Sequence, residues 1–98
     1  MNITQLMKQA QQLQKKVSKK QAELDAEVHE FGNDLVHGKI KGSLEIISLE
    51  INPSLCNEES KEDLEALVMV SLNKVIKEVT EKKDKAMDAI TGSAKGFF

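Results

Sequence analysis

The sequence predicts an α+β fold in which two long helices flank a small antiparallel sheet. In the first and last thirds of the chain, apolar residues recur every three or four positions, which is the period of an amphipathic helix. Between these parts, short runs rich in Leu, Ile and Val are separated by glycine-containing turns, as in a small sheet. Because the chain has 98 residues, we expect residues 1–98 to form one domain, with residues 93–98 as a mobile tail.

The first helix is predicted to begin at Ile3. Asn2 is suited to cap it, and Gln5 follows three residues later, as in a capping box. At about 100° per residue, its apolar residues collect on one side of the helix. They are Ile3, Leu6, Ala10, Leu13, Val17 and Leu24.

Three strands are predicted, over residues 25–31, 35–41 and 44–51. Gly42-Ser43 has the length and chemistry of a tight hairpin turn between the last two. Gly38 predicts a bulge, because a glycine inside a strand has no side chain to pack. Pro53 ends the sheet, because it cannot donate a ladder hydrogen bond.

The second helix is predicted to begin near Ser60, with Asp63 in its first turn, where the helix dipole favours a carboxylate. Gly92 is a natural stop. Lys82 lies on the apolar side, which predicts that the far half of this helix is an exposed arm. The residues of that side are Leu64, Val68, Ser71, Leu72, Val75, Val79, Ala86 and Ile90.

This apolar surface exceeds what one chain of this size can cover, so a homodimer is expected. The residues expected to exceed the cover of one protomer are Leu35, Ile40, Leu49, Ile51, Leu64, Val68, Val75 and Val79.

Charge is strongly segregated, although the net charge is only -2. Residues 1–20 hold five lysines and no acid. Lys8, Lys15 and Lys19 fall within about 20° of one line, opposite the apolar side. Lys16 and Lys20 flank this line. Such a row of charges is either a binding surface or simply a solvent-exposed helix face.

A second cluster of lysines, with acidic neighbours, lies near the end of the second helix and consists of Lys82, Lys83 and Lys85. All 14 basic residues are Lys, which lacks the planar fork that reads guanine. Contacts to duplex DNA would therefore be made to phosphates, without base readout.

Catalytic chemistry has no visible basis, since the sequence holds no phosphate loop, nucleophile elbow or His-Glu-x-x-His motif. Cys56 is the only cysteine, so an intrachain disulfide is excluded. His29, His37 and Asp34 could be drawn as a metal site, but nothing in the sequence fixes their convergence. We predict no enzyme activity, metal, cofactor or small-molecule substrate. No apolar run is long enough for a membrane span, and we predict a cytoplasmic protein.

Two segments resemble the YbaB/EbfC family of bacterial nucleoid-associated proteins. They are Met7-Lys8-Gln9-Ala10-Gln11-Gln12-Leu13-Gln14 and Ser48-Leu49-Glu50-Ile51-Asn52-Pro53-Ser54-Leu55. The resemblance covers nearly the whole chain, although Leu44 stands where the family has a turn glycine. It implies an α-β-β-β-α protomer and a homodimer in which the sheets meet and the long helices project like tweezers. It also implies DNA binding with little or moderate sequence preference, in the nucleoid.

Two functions are compatible with these features. The first is a nucleoid-associated DNA-binding protein that contacts phosphates through Lys8, Lys15, Lys16, Lys19, Lys20, Lys82, Lys83 and Lys85. The alternative is a prefoldin-like helical protein-binding or chaperone module, which needs an apolar tip, and Phe97 and Phe98 are the candidates for one. The acidic balance favours the alternative. The resemblance and the acid-free lysines outweigh it.

Overall fold

A computed structural model describes residues 2–92 and confirms the predicted α-β-β-β-α order. The elements are α1 (Ile3–Ala26), β1 (Val28–Gly32), β2 (Val36–Lys41), β3 (Ile46–Ile51) and α2 (Lys61–Gly92), with 3-10 turns at Pro53–Leu55 and Glu58–Ser60. The molecule is elongated, measuring 70 × 19 × 15 Å. The predicted tail, residues 93–98, lies outside the described residues.

The element ends differ from the prediction for local reasons. Asn2 caps α1 as predicted, and its Oδ1 accepts from the Thr4 amide at 2.8 Å. The helix continues to Ala26, so β1 begins later than residue 25. The turn after β2 includes Leu44, whose amide donates to the Lys41 carbonyl at 2.8 Å. Leu44 has a φ of 71°, so β3 cannot begin there.

The three strands form one antiparallel sheet in the order β1-β2-β3. Lys39 of β2 pairs with Ser48 of β3. The next residue, Ile40, pairs with Ile46, which leaves Ile47 as an extra residue. The bulge therefore lies in β3, and the prediction of a bulge at Gly38 is wrong.

Position 38 requires glycine, because neighbouring residues occupy the space that a side chain would need there. Gly38 pairs with Phe31 of β1. A Cβ at this position would lie 2.8 Å from Phe31 Cζ and 2.2 Å from the Ser48 carbonyl oxygen. The missing side chain thus lets the one aromatic ring of the core lie across β2.

The core lies between one face of the sheet and the middle of α2, which packs across β1 and β2. Val36 and Ile40 of β2 are fully buried, and Val75 and Val79 of α2 are 3% and 2% exposed. Ile40, Val75 and Val79 are thus covered within one protomer. Their prediction as residues left for a second copy is wrong, because α2 itself crosses the sheet at these positions.

The third strand is not covered in the same way. Leu49 pairs with Gly38, and Ile51 pairs with Val36, so both are on the face of the sheet that α2 covers elsewhere. They are nevertheless 47% and 36% exposed, and Ile46 is 45% exposed. We refer to Ile46, Leu49 and Ile51 as the β3 strip.

The two helices pack against each other beyond the sheet. The buried and half-buried residues of α1 are Leu13, Val17, Lys20, Leu24 and Asp25. On α2, Ala86, Met87 and Ile90 are half-buried, so the far half of this helix is packed on one side, and the prediction that it is an exposed arm is corrected.

The overlap of the helices is limited by their lengths. The end of α1 lies beside Lys82, since Glu27 pairs with that lysine. Beyond Lys82, the described part of α2 adds only about 15 Å of helix, whereas α1 is about 36 Å long. All residues of the 2–12 segment are exposed. We call this segment the free arm.

Candidate nucleic-acid interface

Four lysines of α1 lie on its exposed surface. Lys8, Lys15, Lys16 and Lys19 are all exposed, and we call them the lysine row. Within residues 2–92, no carboxylate lies within ion-pair distance of any of their ammonium groups. The cause is local, because the sequence has no Asp or Glu before Glu23.

Lys20 differs from the lysine row. It is half-buried at the border of the packed side of α1. The pKa of the Glu27 carboxyl is lowered, first because Lys82 donates a hydrogen bond to it, and also through the charges of Lys82, His29 and Lys20. The charge of Lys20 is therefore partly matched by a nearby acid.

Lys82 and Lys83 lie where α2 passes the end of α1. Lys82 Nζ donates to Glu27 Oε2 at 3.0 Å. Lys83 Nζ is 2.7 Å from Asp25 Oδ1 and donates to the carbonyl oxygen of Gly42 at 2.9 Å. Both ammonium groups of this pair thus have partners inside the protomer.

Lys85, the third member of the predicted second cluster, is exposed. It has no ion pair with any of residues 2–92. The fold thus separates the eight predicted lysines into three kinds: the unpaired row, the half-buried Lys20, and the α2 cluster, in which two of three are paired.

The lysine row can neutralise a linear polyanion. From Lys8 to Lys19 it spans about 16 Å along the helix. Duplex DNA carries one negative charge per about 1.7 Å of its axis, so several phosphates face a row of this length. Lysine offers a mobile point charge, which positions a protein on the backbone without reading bases.

The apolar end of the free arm was not identified from the sequence as a possible site. Ile3, Leu6 and Met7 are 74%, 42% and 58% exposed. Ile3 and Leu6 lie on the apolar side of α1, and the described part of α2, which ends at Gly92, does not reach them. Their exposure could not be predicted from the sequence, because it depends on where α2 passes the end of α1. Phe97 and Phe98, the predicted tip, lie outside the described residues.

The histidines do not form a metal site. His37 Nε2 lies 2.8 Å from Glu50 Oε2 across β2 and β3, and His29 Nε2 lies 3.7 Å from Glu27 Oε2. In the 2–92 part of the chain, no group of three or more His, Cys, Asp or Glu side chains could hold a metal ion. Cys56 is exposed.

Neither helix in the described part of the chain combines the length and the apolar character needed to cross a bilayer.

Comparison with known proteins identifies relatives over almost the full chain. The model of the YbaB/EbfC DNA-binding family matches residues 1–94. A nucleoid-associated protein of Streptococcus sanguinis (strain SK36) is 35% identical over 94 residues, which are 94% of this chain and 95% of that protein. A nucleoid-associated protein of Thermoanaerobacter sp. (strain X514) is 36% identical over 93 residues, covering 93% of this chain and 84% of that protein.

The fold also matches a solved structure. The crystal structure of an uncharacterized protein from Helicobacter pylori superposes with a TM-score of 0.74 at 25% identity, over 87% of this chain and 91% of that one.

Proposed function

Because the chain belongs to the YbaB/EbfC DNA-binding family, we propose that it is a non-catalytic, nucleoid-associated protein that binds duplex DNA through the lysine row. The observation that carries this proposal is the set of four exposed lysines without a carboxylate partner among residues 2–92. The names of the relatives agree with it and indicate a place on the nucleoid, in the bacterial cytoplasm.

Affinity comes from the release of counterions when the lysines meet phosphates. Since the chain holds no arginine, bidentate recognition of guanine is not available and sequence preference is weak. Lys20 adds a charge at the base of the row. Lys82, Lys83 and Lys85 contribute less, because the first two already have acidic partners.

The protein acts as a homodimer in this proposal. The β3 strip is an apolar surface on the core side of the sheet that its own helix leaves uncovered. β3 is also an edge strand of the sheet formed within residues 2–92, and the outer side of such a strand can pair with another chain. A second copy on this strip would bring two lysine rows into one particle and double the number of lysines that meet a duplex.

The test is a titration of labelled duplex DNA at several salt concentrations, measured by fluorescence anisotropy. The arm variant replaces Lys8, Lys15, Lys16 and Lys19 by Gln. Removing one phosphate contact lowers the slope of log affinity against log salt by about 0.9, so the four lysines of one lysine row account for about 3.6. We expect a flatter slope and a similar loss of affinity on unrelated sequences.

The matched control removes the same charge from the rest of the surface. It replaces Lys39, Lys61, Lys74 and Lys77, all exposed, by Gln. This variant should retain most of the salt dependence. An arm variant with unchanged helix content, affinity and slope would contradict DNA binding through the lysine row.

The exposed end of the free arm favours a second function, a helical protein-binding or chaperone module. Ile3, Leu6 and Met7 present an apolar tip of the kind that such a module uses on unfolded clients. Replacing these three residues by Ser should abolish protection of a heat-denatured client from aggregation, measured by light scattering. If the unmodified protein gives no protection, this second function is excluded.

A further inference from the structure

We infer that Lys83 is a positioning residue that holds α1 in a fixed direction relative to the sheet, and so determines where the lysine row meets DNA. Its ammonium group joins the end of α1 to the turn between β2 and β3, and its main effect on DNA binding comes through this junction. This inference rests on the proposed function, because it assigns to Lys83 a role in DNA binding other than contact.

The end of α1 is bound directly to the hairpin turn. The Gly42 amide donates to the Glu27 carbonyl at 2.8 Å, and the Ser43 amide donates to the Asp25 carbonyl at 3.2 Å. The approach is so close that a Cβ on Gly42 would lie 1.8 Å from the Leu24 carbonyl oxygen. The direction of α1 is thus set within a few residues of the turn.

Lys83 connects α2 to both partners of this junction. Its Nζ lies 2.7 Å from Asp25 Oδ1 and 2.9 Å from the Gly42 carbonyl oxygen. Asp25 Oδ1 is itself shielded from solvent, although the Asp25 side chain as a whole is 38% exposed, and Lys83 is its one ion-pair partner within residues 2–92. Removing Lys83 leaves this oxygen without an opposite charge beside it, a state that favours movement of the α1 end toward water.

Such a movement is amplified by the length of the helix. With α1 about 36 Å long, a tilt of about 10° at its base moves the far end by about 6 Å. Lys8, about 27 Å from the base of α1, then moves by about 5 Å, and Lys15, Lys16 and Lys19 move by about 2–3 Å. The lysine row therefore no longer meets the phosphates in the same arrangement. DNA affinity therefore depends on the junction, even though the junction lies at the base of the row.

The charge of Asp25 makes the inference testable, because a purely electrostatic effect and a positioning effect would change DNA affinity in opposite directions. If Asp25 acts only as a negative charge near DNA, Asp25→Asn should strengthen binding by reducing repulsion. If Asp25 holds α1 through Lys83, the same substitution should weaken binding several-fold. Glu23→Gln is the matched control, since Glu23 is exposed two residues away and outside the junction, and its replacement should strengthen binding slightly.

Lys83→Met completes the set, because Met keeps the aliphatic stem without the charge. We expect it to weaken DNA binding several-fold with an unchanged salt slope, as the lysine row keeps all its phosphate contacts. A slope that falls by about 0.9 would identify Lys83 as a phosphate contact and would overturn the inference.

A second measurement does not depend on DNA. Spin labels on Cys56 and on a cysteine introduced as Gln9→Cys report the distance between the body and the free arm, in particles diluted with unlabelled protein. Asp25→Asn and Lys83→Met should broaden this distance distribution, and Glu23→Gln should not. Unchanged distances in both variants would overturn the inference, as would broadened distances with unchanged DNA affinity. Failure of the proposed function appears separately, as an unchanged salt slope in the arm variant.

Discussion

The middle of α2 and the free arm of α1 follow the same apolar pattern, with opposite outcomes. Val75 and Val79 are at most 3% exposed, whereas Leu6 and Ile3 are 42% and 74% exposed. The difference arises because α2 crosses the sheet in its middle, while α1 extends past every other element formed by residues 2–92. Periodicity therefore specifies the side of a helix that can pack, and the reach of the neighbouring elements decides whether it does.

Lysines also differ between the two helices. Lys83 of α2 meets Asp25 at 2.7 Å, whereas Lys15 of α1 is exposed on a stretch that carries no acid. The position of the nearest carboxylate separates a lysine that supports the fold from one without an acidic partner among residues 2–92.

The largest effect should come from placing a charge in the covered region. Val79→Asp buries an unpaired carboxylate and should lower the free energy of unfolding by several kcal/mol. Leu6→Asp, the same change in polarity on the free arm, should alter it by less than about 0.5 kcal/mol. Urea denaturation followed by circular dichroism measures both. A comparable destabilisation by Leu6→Asp would show that the free arm is covered in solution.

The next effect concerns the β3 strip, the part of the core face of the sheet that α2 leaves uncovered. Leu49→Asp places a carboxylate in the β3 strip, where a second copy would desolvate it, and should convert the dimer to a monomer that keeps its helix content. Glu50→Gln, on the opposite face of the same strand, should leave the mass unchanged. Sedimentation equilibrium measures the mass of both variants. A monomeric mass for the unmodified protein across the micromolar range would contradict the proposed dimer.

Two turns allow the stability of the body to be changed without replacing any residue of the free arm or of the lysine row. Leu44 has a φ of 71° and is 42% exposed, so Leu44→Gly should stabilise the protein by about 1 kcal/mol. Gly32 has a φ of 91°, and a Cβ there would lie 2.0 Å from the Val36 carbonyl oxygen. Gly32→Ala should therefore destabilise it by about 2 kcal/mol or more. Thermal unfolding measures both changes, and an altered salt slope of DNA binding in Leu44→Gly would contradict the separation of body and arm.

The smallest effect is a pH dependence at the junction. The Lys82 hydrogen bond lowers the pKa of Glu27, so this pair stabilises the fold above the ordinary carboxyl range and ceases to do so as pH falls through the folded-state pKa. The contribution is small because both side chains are substantially exposed. The melting temperature of Glu27→Gln should be slightly lower near neutral pH and should equal that of the unmodified protein in acid. Lys82→Gln should reproduce this behaviour, and a constant difference at all pH values would contradict it.

Much of this fold is predictable from the sequence, because its determinants are local. The caps, the two helical periods and the turn residues predicted the order of the elements.

The parts that were not predicted depend on contacts between elements. The bulge was misplaced because the glycine at position 38 makes room for the ring of Phe31 on the neighbouring strand and does not mark a bulge. The covering of Ile40, Val75 and Val79 depends on how α2 crosses the sheet, which spacing alone does not specify. The lysine row could be predicted from α1 alone, whereas the partners of Lys82 and Lys83 arise from contacts with Glu27 and Asp25, more than fifty residues away.

The elongated shape has a hydrodynamic consequence. The radius of gyration is 19.9 Å, compared with about 13 Å for a compact chain of similar length. The protein therefore diffuses and elutes like a much heavier globule, and a retention volume calibrated with compact standards assigns even one protomer the size of an oligomer. Only methods that determine molecular mass independently of the frictional coefficient, such as sedimentation equilibrium, report how many chains the particle contains.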